Sequence, residues 1–326
     1  PSRAMRSTLR IGYDIGGTNA RICAFDASFS TLATRRARLR DDTSPAGVAS
    51  IMRALLEELL EELWQDASVI ESVGVGIAAQ LALDGRTVIN APNLGWRNLD
   101  FAQVLEETLP VEAPVLLVND LNALLWGEYT AGAAKNHSDV LAVYVGTGVG
   151  GGIIAGNKLL EGGGGKAGEI GHAKVEPGGR ICGCGEHGCL EAYAGGIHLE
   201  ALTRQSLLDA PEELRAKILG GEHGAGVDLL AADQMADQWP ALEAMWEDAS
   251  KKLALVIANA CTLLNPSLLL MGGGVWENCG RFRAQTLSRL TPLILCAARE
   301  DLALAEPTLG DIAGMLGAAA LSAARV

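Results

Sequence analysis

Apolar and polar positions alternate along the chain in two distinct rhythms. Residues 9–13 and 21–25 are short apolar runs separated by Gly16-Gly17-Thr18-Asn19, which reads as two strands joined by a tight turn. A third strand is expected near residues 31–36. Val48, Ile51, Leu55, Leu59 and Leu60 then recur at helical spacing, predicting an amphipathic helix over about residues 45–64. Residues 69–78 form a β-branched run of the kind buried on both faces. Another strand over 114–118 ends at Asn119-Asp120, and a helix is expected from 121 to about 130.

A second β-rich stretch starts at Val140. Residues 140–145 read as a strand, Gly146 to Gly152 as a glycine loop, and Ile153-Ile154 as a returning strand. The stretch 161–188 is long, glycine-rich and without regular period, and loops of that length are usually functional. Beyond Glu191 the pattern is mainly helical, with a long helix over 241–264. A short buried strand over 267–271 ends in Gly272-Gly273-Gly274, and a small-residue helix covers 311–324. The segment Tyr13 to Thr18 is echoed by Tyr144 to Gly148: a strand, a Gly/Thr turn, then a strand. Two similar lobes would explain the echo, as would coincidence in a chain with 40 glycines.

Composition narrows the class. With 326 residues, about two domains are expected. A 49% apolar and 20% charged chain is of ordinary globular type. The net charge of -13 argues against a nucleic-acid partner, and 4% aromatics leaves few stacking platforms for single strands. There is no apolar stretch of membrane-spanning length, and the basic residues 1–10 lack the apolar core of a secretory signal. A cytoplasmic protein with no membrane association is therefore expected. In that reducing compartment the seven cysteines should not form structural disulfides.

Candidate chemistry begins with the glycine turns. Gly16 and Gly17 bring backbone N–H groups close to an anion, Thr18 adds a hydroxyl, and Asp14 suits a hydrated Mg²⁺ beside phosphates. Thr147 and Gly148 sit in a second such cradle, although a strand rather than a helix follows, unlike a dinucleotide fold. Gly272, Gly273 and Gly274 suit either close approach to a flat base or tight packing. Asp120, at a strand end, is placed either for general-base work or for capping the helix behind it. Cys182, Cys184 and Cys189 lie within eight residues, and His172 precedes them. That is the Cys₃His donor set of a closed, structural zinc site. Glu169 and Glu191 flank the ligands and could accept hydrogen bonds from vicinal sugar hydroxyls.

Together these motifs resemble the ROK family (repressors, uncharacterised frames and sugar kinases) over nearly the whole chain. The resemblance rests on residues 14–19, Ala91-Pro92-Asn93-Leu94-Gly95-Trp96, Asn119-Asp120-Leu121-Asn122-Ala123, Gly146 to Gly152, Glu169-Ile170-Gly171-His172, Cys182 to Glu191 and the late glycine run. It implies an α/β, two-lobed, actin-like (ribonuclease H-like) sugar-kinase fold with ATP in an interlobe cleft. The small lobe would comprise residues 1–118 plus 310–326, and the large lobe residues 119–309. The implied chemistry is transfer of the ATP γ-phosphoryl group to the C6 hydroxyl of a hexose, glucose first, with Asp120 as the base. N-acetylmannosamine, N-acetylglucosamine or another hexose is the alternative substrate.

The resemblance further implies sugar contacts at Asn93, Asn119, Asp120, Glu169, His172 and Glu191, and zinc on His172, Cys182, Cys184 and Cys189. ATP phosphates would meet Gly16, Gly17, Thr18 and Asn19, with Asp14, and also Thr147-Gly148. Adenosine would lie near Gly272 to Gly274. Many relatives carry glycine where this chain has Ala79, whose methyl could trim the sugar pocket. A homodimer is implied. A sugar-responsive repressor is disfavoured, because only 13 residues precede Asp14, too few for a helix-turn-helix. Loss of Cys184 is expected to weaken sugar binding while barely changing ATP affinity.

Overall fold

The structure is a computed structural model describing residues 8–39, 42–65, 69–220 and 226–325. The segment before Met5 lies outside the described residues. Among these, β1 (Leu9–Ile15), β2 (Asn19–Phe25) and β3 (Thr31–Arg38) lead into α1 (Pro45–Glu62), β4 (Ile70–Ile77), β5 (Gln80–Leu81), β6 (Thr87–Ala91), β7 (Trp96–Asp100), α2 (Phe101–Thr108), β8 (Val115–Asn119) and α3 (Asp120–Ala131). Next come β9 (Val140–Val145), β10 (Val149–Ala155), β11 (Lys158–Leu159), α4 (Glu191–Ala194), α5 (Gly196–Ser206), α6 (Glu212–Leu219) and α7 (Leu229–Gln234). The chain ends with α8 (Pro240–Leu264), β12 (Leu268–Gly272), α9 (Gly274–Asn278), α10 (Gly280–Leu293), α11 (Cys296–Glu300), β13 (Ala303–Ala305) and α12 (Ala313–Ala323).

Cα packing divides the chain into two units. One takes the described residues of Pro1–His137, Leu159–Ala167 and Pro307–Val326; the other takes Ser138–Lys158 and Gly168–Glu306. The first boundary thus falls after His137 rather than after Val118. The reason is α3. Its Gly127 faces the backbone of Ala313 so closely that a Cβ there would lie 2.0 Å from the Ala313 carbonyl oxygen. The reciprocal contact is tighter, with a Cβ on Gly317 reaching 1.8 Å from the Ala123 carbonyl. The small residues of α12 let two helix backbones approach to a distance that larger side chains forbid.

In the first unit the main sheet has the order β3-β2-β1-β4-β8. β1 pairs antiparallel with β2 and parallel with β4, and β4 pairs parallel with β8. Ile11, Tyr13, Ile22, Val73 and Val75 are buried between the layers with Met52, Leu56 and Leu59 of α1. Ser44 caps α1 by accepting from Gly47 N–H, and Pro45 sits at its first turn, where no N–H donor is needed. A small sheet, β5-β6-β7, carries the loop with Asn93.

In the second unit the sheet runs β11-β10-β9-β12-β13. β9 again pairs antiparallel with the next strand and parallel with β12, which in turn pairs parallel with β13. Strand order and sense repeat those of the first unit, so the sequence echo corresponds to a repeated hairpin at the same place in each sheet. α8 and α10 cover this sheet, with the Trp246 and Phe282 rings 5.4 Å apart. Full burial of such side chains contributes about 2–3 kcal/mol each.

A candidate sugar kinase site

In the first unit, the glycine turn closes through Gly16 N–H donating to Asn19 O at 3.0 Å, which lets β1 and β2 extend almost to the glycines. Thr18 and Asn19 are exposed at the turn, and Asn19 Nδ2 donates to Thr18 Oγ1 at 3.0 Å. Gly17 packs against Asn93, where an added Cβ would stand 3.3 Å from the Asn93 Cβ. The glycine turn expected to meet phosphates and the loop expected to contact sugar are therefore neighbours.

Asp14, on β1, has its carboxyl pushed up from the ordinary value chiefly by burial. Arg21 opposes that shift and Asp311 adds to it. Arg21 Nη1 lies 3.8 Å from Asp14 Oδ2 and 2.8 Å from Asp311 Oδ1. Arg21 carries no motif and was not marked by the sequence. Its link to Asp311 spans 290 positions, which no local pattern reveals.

Asn119 ends β8 and Asp120 opens α3. Asn119 is the helix cap, its Oδ1 accepting from Leu121 N–H at 3.1 Å and Asn122 N–H at 3.2 Å. Its Nδ2 donates to Ala79 O at 3.3 Å, tying the strand end to buried Ala79. Asp120 is half-buried and also accepts from Leu121 N–H, at 3.0 Å. Capping and candidate base work thus fall on adjacent residues.

In the second unit, Thr147 and Gly148 form the turn between β9 and β10. Gly272 ends β12 alongside Tyr144 of β9, and Gly273 has φ +97°, with Val145 O only 2.6 Å from where a Cβ would sit. Close backbone packing therefore accounts for Gly273, while Gly274 is exposed. Thr147 and Gly274 line an open cavity of about 480 Å³ whose other walls include Ile197, Leu229, Leu230 and Val275. Ile197 and Leu230 are apolar yet 61% and 42% exposed, a surface suited to a flat aromatic ring. Sequence reasoning missed these walls, since their only signal is an apolar residue on a surface helix.

The segment after Gly168 folds back on itself through the bridges Lys174↔Cys189 and Ile181↔His187. Cys182 N–H donates to Glu186 O and Gly185 N–H to Cys182 O, which closes a tight knuckle. The donor atoms of His172, Cys182, Cys184 and Cys189 all lie within 4.8 Å of one another. Cys182 Sγ is 3.7 Å from His172 Nδ1, and Cys184 Sγ is 3.8 Å from Cys189 Sγ. Tetrahedral bonds of about 2.3 Å imply edges of about 3.8 Å, so this donor set is spaced for zinc. Lys174 Nζ lies 3.1 Å from Cys189 Sγ, a cation beside the sulfurs. None of the seven cysteines is in a disulfide.

His172 turns Nδ1 to the sulfurs and Nε2 outward, where Glu169 Oε2 is 3.8 Å away. Glu191 begins α4 two residues after Cys189, with Oε1 3.4 Å from Cys182 Sγ. Thus Glu169, His172 and Glu191 are assembled on one loop, as Asn93 and the first turn, and Ala79 and Asn119, are assembled in the other unit.

Comparison with known proteins places the chain in a family. The ROK family profile matches residues 10–325. The chain is 33% identical to a glucokinase of Streptomyces coelicolor over 269 residues, 82% of each protein. It is 35% identical to an N-acetylmannosamine kinase of Salmonella arizonae over 198 residues, 60% of this chain and 65% of that protein. A ROK glucokinase of Streptomyces griseus, solved with glucose and AMPPNP, superposes with a TM-score of 0.77 at 33% identity, covering 96% of this chain and 99% of that one. The fold is the actin-like one of the sugar kinases. With the profile spanning both units and every motif in order, the chain belongs to the ROK family.

Proposed function

We propose that this protein is an ATP-dependent hexose kinase that converts glucose to glucose 6-phosphate. The observation that carries the reading is the repeated hairpin, which gives each unit a glycine turn at the same sheet position. A glycine turn of backbone N–H groups at a strand end suits a phosphate. Kinship supports it: the chain covers most of a glucokinase, and its structural relative binds glucose and AMPPNP.

In this reading Asp120 accepts the proton of the C6 hydroxyl as that oxygen attacks the γ-phosphorus. Asn93, Asn119, Glu169, His172 and Glu191 orient the sugar, and the Ala79 methyl trims its pocket. Asp14 would hold a hydrated Mg²⁺, which would supply positive charge beside the phosphates. Gly16 to Asn19 and Thr147-Gly148 meet the phosphates, with adenine beside Gly274 and Ile197. Zinc on His172, Cys182, Cys184 and Cys189 would fix the imidazole tautomer so that Nε2 serves the sugar. The protein acts in the cytoplasm as a homodimer, consistent with seven unpaired cysteines and with exposed Leu263, Leu293 and Leu295.

N-acetylmannosamine is the second reading, favoured by the Salmonella relative, but the match spans only 60% of this chain. Replacement of the proposed base gives the test. Asp120→Asn should fold, bind glucose and lose about 10²–10⁴-fold in kcat. A variant turning over at near the wild-type rate would remove Asp120 from the reaction.

A further inference from the structure

Glu191 has more to do than meet a sugar. Its Oε2 accepts from Val149 N–H at 3.0 Å, in the glycine turn between β9 and β10. A Cβ on Gly148 would stand 2.3 Å from that same oxygen, so residue 148 has room only for hydrogen while the carboxylate is in place. The other oxygen, Oε1, is directed toward Cys182 at 3.4 Å.

Two backbone bonds reinforce the connection. Gly196 N–H donates to Gly146 O at 2.8 Å, and Ile197 N–H to Thr147 O at 3.0 Å. The segment that leaves the cysteine loop at Cys189 thus holds the glycine turn at three successive points. At its start, the Glu191 carboxylate has one oxygen on the turn and the other at Cys182. Truncating it leaves the Val149 N–H without this partner and opens space against the turn.

We propose that Glu191 is a positioning clamp: Oε2 holds the nucleotide's glycine turn, Oε1 stands at the cysteine loop, and a sugar bound at this carboxylate would fix it against the turn, so the two ligands bind cooperatively. The proposal rests on the reading of Glu191 as a sugar contact. A sugar that orders the Glu191 carboxylate orders the turn for the nucleotide's phosphates. By reciprocity, a nucleotide that fixes the turn fixes the carboxylate for the sugar.

Titration calorimetry on the zinc-loaded protein tests this, using glucose and a non-hydrolysable ATP analogue, each alone and with the other present. In the wild type each ligand should tighten the other about fivefold or more. Glu191→Gln keeps an acceptor oxygen for Val149 N–H but turns an amide toward the sugar. It should bind the analogue within about twofold of wild type and glucose about tenfold more weakly. Gly148→Ala pushes the carboxylate aside, so glucose should weaken several-fold although residue 148 lies on the nucleotide turn. Glu191→Ala separates the two readings: weaker analogue with unchanged glucose keeps the turn contact but removes the sugar role and the coupling. Glucose weakened alone removes the clamp and keeps the sugar contact. Circular dichroism and zinc content identify any variant that fails to fold, in which case the wild-type coupling decides. Independent binding of the two ligands in the wild type overturns the proposal, as does an unchanged glucose Kd in folded Gly148→Ala.

Discussion

Asp14 is placed against its own preference. Burial raises its carboxyl above the ordinary aspartate value and outweighs the help of Arg21, while Asp311 adds repulsion. Such a group binds its proton more tightly in the folded than in the unfolded state. Its favourable contribution exists below the unfolded value and is lost as pH rises through the raised one, so the ionised carboxylate is a burden at neutral pH. Asp14→Asn should therefore raise the Tm of the ligand-free protein while lowering kcat/KM by about 10²-fold or more. A drop in Tm would contradict this. The ionisation of Asp14 should also contribute to the acid limb of kcat/KM and be lost from it in the Asn variant, leaving the limb of the Asp120 base, which a pH profile reads directly. At the same scale, Asp120 and Asn119 share duties that the sequence left undivided: the amide caps α3, and the carboxylate is at the strand end beside it.

At the scale of elements, the glycine turns were legible because their constraint is local. A buried strand, two small residues and a hydroxyl specify a hairpin wherever the chain goes next. The knuckle over residues 182–189 was legible only in its ligands. Its two short bridges carry no hydrophobic period, and its buried core is the cysteines Cys182 and Cys189 against Ala192 and Tyr193. The β6–β7 hairpin was not read as strands, for its Asn-rich sequence around Asn93 looks like a loop. The return of α12 to the first unit was implied by the family resemblance alone, and its seat on α3 was not visible: glycines and alanines there report on a partner backbone about 190 residues away in sequence, which periodicity cannot show.

The hydrogen bonds between residues 191–197 and the glycine turn also alter one expectation. Cys184→Ser was expected to spare ATP affinity. With the cysteine loop attached to the turn at three points, the variant should lose zinc, unfold at lower Tm and weaken both glucose and nucleotide binding. Metal analysis with thermal melts and the two Kd values checks this. A zinc-free protein of unchanged Tm would deny the metal its structural role.

At the scale of the whole molecule, two units share one sheet order. The proposed site residues are Asp14, Asn93, Asn119 and Asp120 in the first, and Glu169, His172 and Glu191 in the second. Among the described residues no helix is long and apolar enough to cross a membrane. The choice of hexose is not legible in the motifs, because vicinal hydroxyls are common to the candidates. The central claim is most directly tested by ADP release with ATP and Mg²⁺ across glucose, N-acetylmannosamine and N-acetylglucosamine, with the phosphorylated carbon assigned by NMR. The account predicts the highest kcat/KM for glucose and phosphate on C6. Hexose-independent ADP release, or a preference for an N-acetylated sugar, would contradict it.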